Sequence, residues 1–95
     1  MEEYVLKGVA LLDSKLPGWE EHINWDILSI WSTANCIIGQ LDQVYGYGGV
    51  LEALGLRNYV EGRQYGFDAP DPYNQDYMAL TQAWKDWARH HRMHV

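Results

Sequence analysis

Four groups of residues in this 95-residue chain are of types that do chemistry. The first is the run His90-His91-Arg92-Met93-His94. His90 and His94 stand four apart, and on a helix that spacing lets two imidazoles share one zinc ion. A third ligand would have to come from His22 or a carboxylate. No acid or cysteine stands at a matching spacing, so the run reads first as a solvated, weakly basic tail. The second is Cys36, near the start of a predicted helix, where the helix dipole lowers a thiol pKa. Its neighbours Ile37 and Ile38 point instead to a small buried side chain, and spacing places no His or Asp beside it. The third is Tyr45-Gly46-Tyr47-Gly48-Gly49, which has the glycine content of a phosphate-binding loop. It lacks the following Lys-Ser/Thr and a preceding strand, so a turn between helices is expected. The fourth is the set of thirteen carboxylates. A DNA mimic would present acids regularly on one face. Here they fall at helix starts and loops, as Glu2/Glu3, Glu20/Glu21 and Asp68/Asp71, where capping and solubility account for most of them. No catalytic constellation and no cofactor is expected.

The elements that must position these groups follow from periodicity and punctuation. Val5, Val9, Leu12 and Leu16 share one face of a helix over Glu2–Leu16, stopped by Pro17-Gly18, with Trp19 folding back on the core. Residues 22–31 partly alternate apolar and polar through Ile23, Trp25, Ile27, Ser29 and Trp31. A short turn, with Asn24 capping Trp25–Leu28, is preferred to a strand that would lack a partner. Ser32 or Thr33 can cap a second helix over Ala34–Tyr45, with Ile37, Ile38, Leu41, Val44 and Tyr45 as its apolar face and Gly46 at its end. A short helix over Val50–Leu54 ends at Gly55, and a turn over Tyr59–Tyr65, capped by Asn58, ends at Gly66. The connector Asp68-Ala69-Pro70-Asp71-Pro72 is rigid and non-helical. The last helix is expected from Pro72, capped by Asp71, to about His91. Its stripe Tyr73, Tyr77, Leu80, Trp84, Trp87 and His91 is spaced 4, 3, 4, 3, 4. At ~1.5 Å per residue it would be near 30 Å long. The spacing resembles a coiled-coil seam more than a broad core face.

The expected fold is therefore all-α, a small single-domain bundle of four to five helices spanning residues 1–95. The first, second and last helices make the core, and residues 92–95 form a frayed tail. Aromatics are abundant, with five Trp, seven Tyr and one Phe. Such rings serve a small core, and they also serve binding hot spots. The formal charge is −6 and uneven. Residues 1–81 hold twelve acids and four bases, a net of −8, whereas residues 82–95 hold three bases and one acid, a net of +2. This balance argues against direct nucleic-acid binding, which needs clustered positive charge. No apolar run approaches the ~20 residues of a membrane span. A single cysteine suits a reducing compartment, and an acidic N-terminus is the wrong sign for a signal peptide. A cytoplasmic protein is expected.

The order and spacing of several short pieces resemble a family of small uncharacterised proteins of mycobacteriophages and other actinobacteriophages and of their actinobacterial hosts. The pieces are Leu12-Asp13, Pro17-Gly18-Trp19, Cys36 with Gly39-Gln40-Leu41, Tyr45-Gly46, Leu54-Gly55-Leu56, Gly66-Phe67, and Leu80-Thr81 with Ala83-Trp84. They run from about Gly8 to Trp84. In the family Tyr-Gly follows Gly-Gln-Leu directly, whereas Asp42-Gln43-Val44 intervene here. The resemblance implies a phage or prophage accessory gene expressed in a bacterial cytoplasm, and it brings no catalytic residues. Each piece also has a structural meaning as a helix stop, a cap or an anchor, with Gly39 permitting close helix packing.

The leading expectation for function is a non-enzymatic protein that binds a host or phage protein. A homodimer is compatible with it. The alternatives are an acidic DNA-mimic inhibitor of a DNA-binding protein and a small metal-dependent or cysteine enzyme. The end of the last helix, with Trp87, His91, Arg89 and Arg92, is expected to project beyond the core and form the partner surface.

Overall fold

The computed structural model describes residues 1–70 and 76–92, with the side chain of Arg92 outside that description. Helix α1 spans Glu2–Lys15, with Glu2 and Glu3 in its first turn and Lys15 in its last, each favoured by the helix dipole. The 4-3 spacing buries Val5, Val9 and Leu12 on one face. Leu16, Pro17 and Gly18 end the helix, Gly18 taking φ 87°, and the chain turns back so that Trp19 is fully buried. A 3-10 turn over Trp19–His22 follows, an element that periodicity did not indicate.

Residues 23–36 are irregular, and a turn rather than a strand occupies Trp25–Ile27. Asn24 Oδ1 accepts from the Asp26 amide at 3.1 Å, closing the turn as expected of an Asn there. The alternation misleads about faces. Ile23, Leu28 and Ile30 are buried, while Ile27 and Trp31 are exposed. The loop is held by the buried Gln40 side chain, whose amide nitrogen donates to the carbonyls of Asn24 (3.2 Å) and Asn35 (3.0 Å). Its oxygen accepts from the Asn24 amide at 2.7 Å. One buried amide thus satisfies three loop groups that would otherwise be desolvated without partners.

Helix α2 spans Ile37–Tyr45, starting three residues later than predicted. Ser32 is engaged otherwise: its hydroxyl accepts from the Asn35 amide at 3.2 Å and closes a separate turn. Cys36 is the N-cap, and its sulfur accepts from the Gly39 amide at 3.2 Å. Gly39 is indeed a close-packing site, but against the preceding loop: a Cβ there would collide with the Thr33 carbonyl. Ile37, Ile38 and Leu41 are fully buried, whereas Val44 and Tyr45 at the end of the predicted apolar face are exposed. Helix α3, Gly49–Leu54, packs against α2, and a 3-10 turn over Glu61–Tyr65 packs against α1. Asn58 Oδ1 accepts from the Glu61 amide at 3.1 Å, and Gly66 closes the turn at φ 73°.

Helix α4 spans Tyr77–Arg92. Asp76, expected inside the helix, stands just before it and accepts from the Ala79 amide at 2.9 Å. The predicted start at Asp71-Pro72, the stripe residue Tyr73 and the tail beyond Arg92 lie outside the described residues. Sixteen residues give α4 about 24 Å at 1.5 Å per residue. Leu80, Trp84 and Ala88 are buried on it, so the stripe broadens into a core face around Trp84.

Trp84 is the centre of the core. Its Nε1 donates to the Gly66 carbonyl at 2.7 Å, its ring stacks on Phe67, and Trp19 meets it edge-on. Two glycines make room for it. A Cβ on Gly8 would strike the Tyr65 carbonyl and the Trp84 ring, and one on Gly66 would press on Trp84 Nε1 at 3.3 Å. Residues of α1, α2 and α4 all enter one hydrophobic cluster, as predicted. The nearest neighbours of α2 are α3 and the Trp19–His22 turn. The result is a small all-α fold, with four α-helices and no strand among the described residues.

Candidate functional site

The reactive groups singled out by type are mostly engaged in holding the fold. The Cys36 thiol is 2% exposed, lies 3.8 Å from the Thr33 carbonyl and caps α2 through its sulfur. Burial pushes its pKa up, against the lowering expected from a helix N-terminus, because desolvation outweighs the amides and the Tyr59 hydroxyl that stabilise the thiolate. A thiol that is both buried and raised is poorly placed as a nucleophile. Tyr59 is pushed up to about 12, first by burial and then by the Cys36 and Asp42 charges.

The glycine-rich segment is a turn between α2 and α3. Gly46 and Gly48 have positive φ, and Tyr47 extends into solvent, 93% exposed. Several carboxylates have structural partners. Asp13 accepts from Trp19 Nε1 at 2.8 Å, and Asp42 from the Val50 amide at 3.3 Å. Glu61 accepts from the Arg57 amide at 2.7 Å, and Asp68 from Arg63 and the Tyr77 hydroxyl.

The predicted partner residues do not share one face. Trp87 does not project. It is half-buried, stacked on Trp19 at 5.5 Å between ring centroids, with Trp25 at 6.1 Å. The cause is non-local: Trp19 and Trp25 reach it from segments more than sixty residues away in the chain. His91 is exposed and stacks on the outer side of Trp87 at 5.0 Å. Its Nδ1 lies 2.8 Å from the Trp87 carbonyl. A carbonyl only accepts, so Nδ1 is the donor in this contact. Together Trp87, His91 and His90 form one wall of a groove of about 280 Å³. Glu2, Val5 and Leu6 of α1 form the other, and Leu6 is 47% exposed. Arg89 lies on the opposite flank of α4, with Lys85 near Trp25 and Asp26. The side chain of Arg92 and the His94 half of the His90–His94 pair lie outside the described residues. Among the described residues no three His, Cys, Asp or Glu are grouped to hold a metal ion. No described helix is long and apolar enough to cross a membrane.

A second exposed feature was not anticipated. Trp31 and Met78, 75% and 86% exposed, stand on either side of a groove of about 560 Å³ at the N-terminal end of α4. Met78 could have been found, since it falls outside the Tyr77–Leu80–Trp84 stripe. Trp31 could not, because its neighbour Ile30 is equally apolar and is buried.

These elements define a small helical domain with open surface grooves. Comparison with protein-family models, with curated proteins and with solved structures returns no match.

Proposed function

We propose that the chain is a non-enzymatic binding protein, a phage or prophage accessory protein that acts in the bacterial cytoplasm by binding a host or phage protein. The observation that carries this reading is the groove between α1 and the end of α4. There a stacked Trp87–His91 pair and a half-exposed Leu6 present apolar surface beside Glu2 and Asp86. Aromatic and apolar anchors within a polar rim are the make-up of a protein-binding patch. The Trp87 ring is held from behind by Trp19 and Trp25, so little side-chain freedom is lost when a partner docks. His91 and Trp87 thus remain the assigned contact pair. Arg89, on the opposite flank of α4, is left out of this contact set.

The two other classes draw less support. A cysteine enzyme would need Cys36 accessible, and a DNA mimic would need the carboxylates free, whereas several of them cap turns or pair internally. Affinity capture from actinobacterial lysate tests the proposal. The wild-type chain should enrich a discrete protein, and His91→Ala or Leu6→Glu should abolish the enrichment while leaving the far-UV CD spectrum unchanged. Equal capture by all three chains would place the contact elsewhere, and no enriched protein would remove the reading.

A further inference from the structure

The outward stripe of α4 is nearly symmetric about its own middle. Met78, Gln82, Lys85 and Arg89 are spaced 4, 3, 4, which keeps them within roughly 60° of arc at 100° per residue. Met78, Gln82 and Arg89 are exposed and Lys85 half-exposed. At one end stands an apolar anchor, Met78 beside Trp31, with Asp76 in the same groove. At the other end stand two cations, Lys85 and Arg89, with Asp26 in the same groove. Arg89 has its own contact to Asp86, but that pair is 3.9 Å apart and 68% and 49% exposed, too loose to hold the guanidinium in place.

We infer that this stripe is a twofold interface, and that its occupant is a second copy of the chain with α4 running antiparallel. A twofold axis facing the midpoint between residues 83 and 84 sets Met78 opposite the partner's Arg89 and Gln82 opposite the partner's Lys85, twice over. The distance from Met78 to Arg89 along the helix is about 16 Å at 1.5 Å per residue, and it is the same read in either direction. The partner's Arg89 then lays its aliphatic stem on Met78, its guanidinium on the Trp31 ring and its charge near Asp76. Each end that holds Asp76, Met78 and Trp31 meets the end that holds Lys85 and Arg89, twice over, as an isologous contact requires. A foreign partner would have to supply the cation that this helix already carries at the matching position. The interface is on a different flank from the Trp87–His91 groove, so a dimer leaves that groove open.

Sedimentation of the full chain from micromolar to millimolar concentration tests the inference. The wild-type chain should pass from monomer to dimer. Trp31→Ala, Met78→Ala and Arg89→Glu, all on exposed side chains, should each weaken self-association roughly tenfold or more while keeping the native CD spectrum. Asp76→Lys should also be monomeric, and mixing it with Arg89→Glu should restore a dimer, because both symmetry-related contacts then become opposite in charge. Should loss of the cap on Ala79 unfold Asp76→Lys, the other three variants decide. A wild-type chain that stays monomeric at millimolar concentration overturns the inference, as does a dimer indifferent to Trp31 and Arg89. A monomer whose Trp31 indole N–H signal moves on adding a cationic amphipathic Lys/Leu peptide also overturns it, assigning the groove to a foreign basic partner. None of these results touches capture through His91, so the two readings fail separately.

Discussion

Trp84 and Trp31 are the same residue in opposite circumstances. Trp84 has its N–H on the Gly66 carbonyl, a stacked ring on one side, an edge-on ring on another, and a gap left by Gly8. Trp31 is three-quarters exposed, and no described ring packs on it. The difference teaches that hydrophobicity alone does not bury a tryptophan. Burial needs a hydrogen-bond acceptor for the indole and a partner surface cut to admit the ring.

The sharpest way to break that contrast is to truncate the buried ring. Trp84→Ala should cost about 3–5 kcal/mol. Total stability for 95 residues is roughly 5–14 kcal/mol, so urea denaturation should show a chain that is barely folded. Gly8→Ala comes next. It fills the gap from the other side, and the collision with the Tyr65 backbone and the Trp84 ring should cost about 1–3 kcal/mol, read as a lower Tm. Asp13→Ala removes the acceptor of the fully buried Trp19 and strands its N–H, which should cost about 1–2 kcal/mol. At the smaller end stands alkaline pH. Burial raises both the Cys36 thiol, ordinarily near 9, and the Tyr59 hydroxyl, from 10 to about 12. The folded state therefore holds these protons more tightly than the unfolded chain. Their contribution is fully present below pH 9 and is lost as the pH climbs towards 12. Tm should fall over that interval, and Tyr59→Phe should flatten the fall. Trp31→Ala should change stability by less than about 0.5 kcal/mol. A larger loss would mean that the ring is part of the fold and that the contrast is false.

The features that could be read from the chain are those whose causes are local. The 4-3 spacing of Val5, Val9 and Leu12 gives α1, and Gly46, Gly55 and Gly66 end their elements because a left-handed or otherwise positive φ is cheap only there. Leu80 and Trp84 are buried as their periodicity requires. The misplaced features have distant or competing causes. Helix α2 begins at Ile37 because the Ser32 hydroxyl is taken by Asn35 and a cysteine, a weak acceptor rarely thought of as a cap, does the capping. Trp87 does not project because Trp19 and Trp25 fold onto it from far away in sequence. The division of the expected partner residues between two flanks is, by contrast, local: at about 100° per residue Arg89 stands roughly 200° around the helix from Trp87. Surface specificity is the least legible of all, since periodicity says which side of α4 faces inward and nothing about what the other side meets.

That the central ring belongs to the last helix has a consequence for how the chain is made. A ribosome delivers α1 first and α4 last, at about 5–20 residues per second. Val5, Val9 and Leu12 must therefore wait several seconds for Trp84 to emerge, and in that interval they are open to chaperones and to aggregation. Closure also joins residues far apart, as in the 3.0 Å bond from the Ile30 amide to the Thr81 hydroxyl, across 51 positions. For a helical domain this long-range wiring should make folding slow, with the helices forming early and the core closing only once the last one docks.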